Sequence, residues 1–164
     1  MLKHRTFFKV FAAIFVIFAM HCIYSDTVIA QANSENGGNF GIGVMFGEPA
    51  GISIKSWNGA RSAFDVGAAW SLTGRNEAVH LHADVLLHSW FSDIDVGRLA
   101  FYYGLGGRII FAGDATAGVR FPLGLNYVFQ TIPFDIFVEA VPIFDVTPDT
   151  KFAGNGAIGI RYYF

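Results

Sequence analysis

Three residues on one short segment, His80, His82 and Asp84, could together hold a metal ion. Neutral imidazole and carboxylate both ligate first-row transition metals. Spaced two apart, all three point to one side if the segment is a β-strand. The sequence identifies no second ligand-bearing strand, so they are weak metal candidates and none is assigned. Acyl-transfer chemistry has less to build on, because it needs a nucleophile, a base and an orienting carboxylate within mutual reach. His88 and Ser89 are adjacent, which sends them to opposite faces of a strand. Ser53 and Ser71 lack the Gly-x-Ser-x-Gly turn that strains a nucleophile into place. Gly41-x-Gly43 and Gly104-x-Gly106-Gly107 open no helical pattern, so they fail as dinucleotide loops. No catalytic residue and no cofactor is assigned.

The histidines belong to a wider set. Lys55, Asp65, His80, His82, Asp84, His88, Arg108, Arg120, Asp135, Glu139 and Arg161 all fall on alternate positions of segments that read in period two. Eight such segments follow one another from Phe40 to Phe164. Phe40, Ile42, Val44 and Phe46 alternate with Gly41, Gly43 and Met45; Phe64, Val66, Ala68 and Trp70 alternate with Asp65, Gly67 and Ala69. Two segments, Gly51 to Trp57 and Asp135 to Val146, alternate imperfectly. Turn formers separate the runs, among them Asn58-Gly59, Gly113-Asp114 and Thr147-Pro148-Asp149. Pro122 falls inside a run and predicts a bulge or an interrupted ladder.

One face of each segment is aliphatic and aromatic, and the other carries glycine, alanine and most of the charges. A soluble sheet would turn the apolar face inward. A membrane barrel turns it to lipid and fills its lumen with the small and charged side chains. The polar face here is glycine-rich and bears both charge signs, as a crowded lumen would. Aromatics gather at segment ends, at Phe40, Phe46, Trp57, Trp70, Trp90, Phe91, Phe129, Phe144, Tyr162 and Phe164, which predicts interfacial girdles. The expected fold is all-β, an eight-stranded antiparallel up-and-down transmembrane barrel over residues 40–164. Its charges would form an internal network, because an eight-stranded barrel is only wide enough for its own side chains.

Composition agrees. The chain is 53% hydrophobic and only 15% charged, where about 25% is usual for a soluble domain. Its 19 glycines and 18 phenylalanines suit bent strands better than a helical bundle. A net charge of −2 supplies no basic patch, which argues against a nucleic-acid partner. Lys3, Arg5 and Lys9 precede an apolar run from Val10 to Met20, and Ala30-Gln31-Ala32 fits a small-x-small cleavage site. Residues 1–32 therefore read as a secretory signal peptide and 33–39 as a disordered lead-in. The apolar run is short for a membrane anchor, which needs roughly 20 residues. Cys22 is preceded by His21 rather than by the small residue of a lipobox.

The final segment, with Ile158, Ile160, Tyr162 and Phe164 on one face, resembles the terminal strand by which the barrel-assembly machinery takes up bacterial outer-membrane barrels. Other pieces point the same way, among them Gly47-Glu48-Pro49-Ala50-Gly51, Tyr102-Tyr103-Gly104-Leu105-Gly106-Gly107-Arg108 and Gly118-Val119-Arg120-Phe121-Pro122. Together they resemble a family of small outer-membrane β-barrels of the OmpA and OmpX design. The resemblance implies export to the bacterial outer membrane, a lipid surround, and a structural or interaction role with a filled lumen or very narrow pore. It implies no catalytic activity. A monomer is favoured. The loops are shorter than those of adhesive small barrels. Two alternatives remain: an outer-membrane lipid-modifying enzyme, and a soluble periplasmic lipocalin-like carrier.

Overall fold

The computed structural model describes residues 38–48, 50–70, 78–112 and 115–164. The expected signal peptide, and the lead-in up to residue 37, lie outside them. All regular structure among the described residues is β. The segments are β1 (Phe40–Glu48), β2 (Ala50–Trp57), β3 (Ser62–Trp70), β4 (Val79–Trp90), β5 (Arg98–Phe111), β6 (Thr116–Arg120), β7 (Leu123–Val128), β8 (Phe134–Thr147) and β9 (Lys151–Tyr163).

Every pairing is antiparallel, and β9 returns to pair with β1, which closes the ring. Both β6 and β7 bridge β5 and β8. Their register is continuous, since Gly106 faces Arg120 and Tyr103 faces Leu123. They are two halves of one strand, parted at Phe121 and Pro122 where proline has no N–H to offer the ladder. The break is small: the Pro122 carbonyl still accepts from the Gly104 amide at 2.9 Å, and the Phe121 amide donates to the Pro142 carbonyl at 3.0 Å. The ring thus has the eight strands that the alternation predicts, with the interruption at the predicted proline.

The stagger of the ring sets its width. In one direction Ile42 pairs directly with Tyr162 of β9. In the other, the chain of partners runs through Ile54, Val66, Ala83, Gly107, Val119 and Phe144 to Phe152. Phe152 and Tyr162 are ten positions apart on β9 (162 − 152), so the strands wind by ten residues per circuit. With eight strands that stagger corresponds to a tilt of about 40° and an interior filled by side chains.

Residues alternate across the wall. Ile42, Val44, Val66, Leu81 and Ile160 are exposed outside, while Ser53, Lys55, Asp84, Arg120 and Arg161 are buried inside. Between the rims, no outward strand position among the described residues carries a charged side chain. Trp57 and Trp90 depart from the expected girdle, and Trp90 packs inside with Trp57 and His88. Trp57 shares the parity of Ser53 and Lys55 and lies inside, 4% exposed, packed with Tyr163 and Trp90. Its position at a strand end suggested the interface, but the pleat decides its face.

Glycines make room for the large inward residues. Gly43 pairs with Arg161, Gly67 with His82, and Gly159 with Phe137. At each glycine an added Cβ would overlap that neighbour. At Gly97, in the turn before β5, φ is 72°, a left-handed conformation that glycine alone adopts without cost.

Candidate functional site: a filled lumen

The strands converge their polar side chains on the barrel axis in three connected groups. The first is built on Arg161 of β9. Its Nε and Nη2 donate to the two oxygens of Asp135 on β8, at 3.0 and 3.1 Å. Its Nη1 reaches across the lumen to Asp65 on β3 and Ser53 on β2. Such a planar fork suits paired carboxylates better than an ammonium would. The guanidinium lies 4.1 Å from the Phe137 ring centre. Asp135 also accepts from the Tyr163 hydroxyl at 2.8 Å and from the Asn126 amide at 2.9 Å. Asn126 in turn accepts from Lys55 Nζ at 3.0 Å.

Lys55 Nζ also lies 2.8 Å from His88 Nε2. An ammonium only donates, so Nε2 accepts and the imidazole proton sits on Nδ1. Nδ1 faces the Arg61 carbonyl at 3.2 Å and donates to it. Above this pair the end of the barrel is stopped by rings. Trp57 lies 4.4 Å from His88 and 5.7 Å from Trp90, centre to centre. Arg98 sits 3.8 Å over Trp90, whose indole N–H donates to the Ala60 carbonyl at 2.9 Å.

The second group joins Asp84, Arg120, Glu139 and Tyr102. Arg120 Nε donates to both Asp84 oxygens at 3.1 Å, and its Nη2 lies 3.6 Å from Glu139. The Tyr102 hydroxyl donates to Glu139 at 3.0 Å. The third is a two-pronged contact between Arg108 and Asp145 at 3.0 and 2.7 Å. Three arginines thus meet five carboxylates inside the wall, and Lys55, held by His88 and Asn126, brings the charges close to balance. Buried ions persist only when paired and hydrogen-bonded in this way.

All eleven residues expected in the lumen lie on inward positions, and nine of them join these groups. His80 and His82 enter none of the three. Asp84, the third weak metal candidate, is engaged by Arg120. No cluster of three His, Cys, Asp or Glu side chains suited to a metal occurs among the described residues. His88 is buried and Ser89 exposed, on opposite faces as their adjacency predicts. Asp145, Asn126, Tyr102 and Tyr163 were not singled out from sequence. Parity alone would have found them: Asp145 continues the inward series of Asp135 and Glu139.

The two ends of the lumen differ. At the end holding Phe40 and Tyr163 it is closed by Trp57 and Trp90. Toward the β8–β9 turn, Ala153, Asn155, Ala157 and His80 are only partly buried.

An apolar outer wall around a charge-paired interior, closed by eight meandering strands, defines a small barrel of the OmpA-like fold. No family model matches the chain, and no curated protein is significantly similar to it. Among solved structures it is similar to the N-terminal β-barrel domain of Pseudomonas aeruginosa OprF. The TM-score is 0.60 at 17% identity, with 79% of this chain and 100% of that one covered. At that identity the likeness is one of fold.

Proposed function

We propose that this chain is an integral outer-membrane β-barrel with a structural or interaction role, held as a monomer in lipid and inserted by the barrel-assembly machinery. The observation that carries the reading is the sidedness of the wall. Its exposed face presents Ile42, Val44, Val66, Leu81, Ile136 and Ile160, and the charges between its rims lie within. A continuous apolar exterior of this extent is untenable in water and suits hydrocarbon. A closed ring also leaves no strand edge unpaired, which a lipid surround demands. The polarity is the reverse of a soluble carrier, whose interior would be lined with large apolar groups. The OmpA-like fold supports the same location.

The role is passive with respect to chemistry and to bulk transport. Arg161, Asp135, Asp65 and Lys55 occupy the lumen cross-section, and Trp57 stops one end. The test is solute flux through the folded protein in liposomes and planar bilayers. The account expects no sugar uptake and no sustained open state. Steady conductance with monosaccharide permeation would refute the filled lumen.

A further inference from the structure

Among the described residues, His80 and His82 are inward ionisable side chains that join none of the three networks. His80 and His82 stand two apart on β4, so both side chains project from the same face of one strand, with Cα atoms about 7 Å apart. The His82 ring lies against Gly67 of β3, where the missing Cβ leaves it space. His80 faces Ala69 on the same neighbour, another small residue. His80 Nδ1 is buried and has no hydrogen-bond partner. An orphaned buried nitrogen in an otherwise satisfied interior marks a place where an ion or a water belongs. The nearby arginines are each paired with carboxylates: Arg108 with Asp145, and Arg120 with Asp84 and Glu139.

We propose that His80 and His82 bind one borderline divalent transition-metal ion, of the copper, nickel or zinc class, in the mouth of the barrel. Imidazole nitrogen selects these ions over magnesium and calcium, which prefer oxygen. The protein supplies two ligands, and water fills the remaining positions. His80 is the less buried of the two and lies at the second position of β4. Such a partly exposed site exchanges its ion with solution rather than locking it into the fold.

The experiment uses the protein folded in detergent, titrated with Cu2+ and followed by electron paramagnetic resonance. The expected result is one equivalent bound, with hyperfine splitting from two imidazole nitrogens. His80→Ala and His82→Gln should each weaken binding at least tenfold and reduce the nitrogen signal. His82→Gln keeps the bulk against Gly67, and His80 is partly exposed, so both variants should still fold, read as a mobility difference between boiled and unboiled samples on an SDS gel. Equal Cu2+ affinity in the double variant, or a wild-type spectrum without imidazole nitrogen, would overturn the proposal. Mg2+ in excess should not displace Cu2+; displacement would also overturn it.

Discussion

Arg161 and Asp135 face each other across adjacent strands in direct register, and their side chains meet inside the wall through two parallel hydrogen bonds of 3.0 and 3.1 Å. The same guanidinium reaches Asp65 on the far side of the lumen. One arginine thereby ties the β8–β9 pair to β3, a strand that pairs with neither through its backbone.

Removing that arginine leaves two carboxylates buried without a counter-charge. Arg161→Ala should destabilise the folded barrel by about 3–5 kcal/mol, the usual penalty for breaking a buried pair from one side. Adding Asp135→Asn to the variant should recover part of the loss, because it removes one of the stranded charges. Urea unfolding in detergent, followed by tryptophan fluorescence, measures both. A double variant no more stable than the single would contradict the assigned pairing.

The glycines divide by face. Gly159→Val places a side chain where the Phe137 ring lies, whereas the position of a Cβ on Gly156 meets only ordinary contact at 3.8 Å. Overpacking of that kind costs about 1–3 kcal/mol. Gly159→Val should lower folding yield in the gel-shift assay, and Gly156→Val should leave it near wild type.

A charge on the outer wall should be costly in proportion to its depth. Val66 lies midway along β3 and is exposed outside. Val66→Arg should destabilise the barrel in a bilayer by about 2–4 kcal/mol. The same residue at Phe46, near the rim at the end of β1, should cost less. Equal costs at the two sites would argue that no hydrocarbon surrounds the wall.

Screening should barely touch the lumen. The pairs of Arg161, Arg120 and Arg108 are buried, with arginine side chains no more than 6% exposed. Buried pairs are shielded little by salt. Raising the salt concentration from 0.1 to about 1 M, where the Debye length falls to about 3 Å, should shift the stability of wild type and Arg161→Ala in parallel. A loss of stability confined to wild type would place these pairs in contact with solvent.

Period-two alternation carried the architecture because the pleat ties sequence parity to a face. It placed Lys55, Asp65, Asp84, Arg120 and Arg161 inside and located the interruption at Pro122. It failed to bring out Asp145 because β8 has apolar residues on its inward face as well. Val141 and Ile143 are buried there, between Glu139 and Asp145, so the contrast between faces disappears. Trp57 was misplaced for a related reason: aromatic identity was weighed above parity. The partners themselves were not legible. That Arg161 finds Asp65, 96 positions away, depends on the stagger of the ring, which is a property of all eight strands together.

The central claim is that the apolar face meets lipid and the charged face does not. Trp70 is outside and half-exposed, while Trp57 is inside. Two single-tryptophan proteins, keeping Trp70 or Trp57 and carrying phenylalanine at the other tryptophan sites, should be folded into vesicles whose acyl chains are brominated. Quenching of fluorescence then reports contact with hydrocarbon. The account predicts strong quenching of Trp70 and little of Trp57. Equal quenching of the two, or quenching of Trp57 alone, would contradict it.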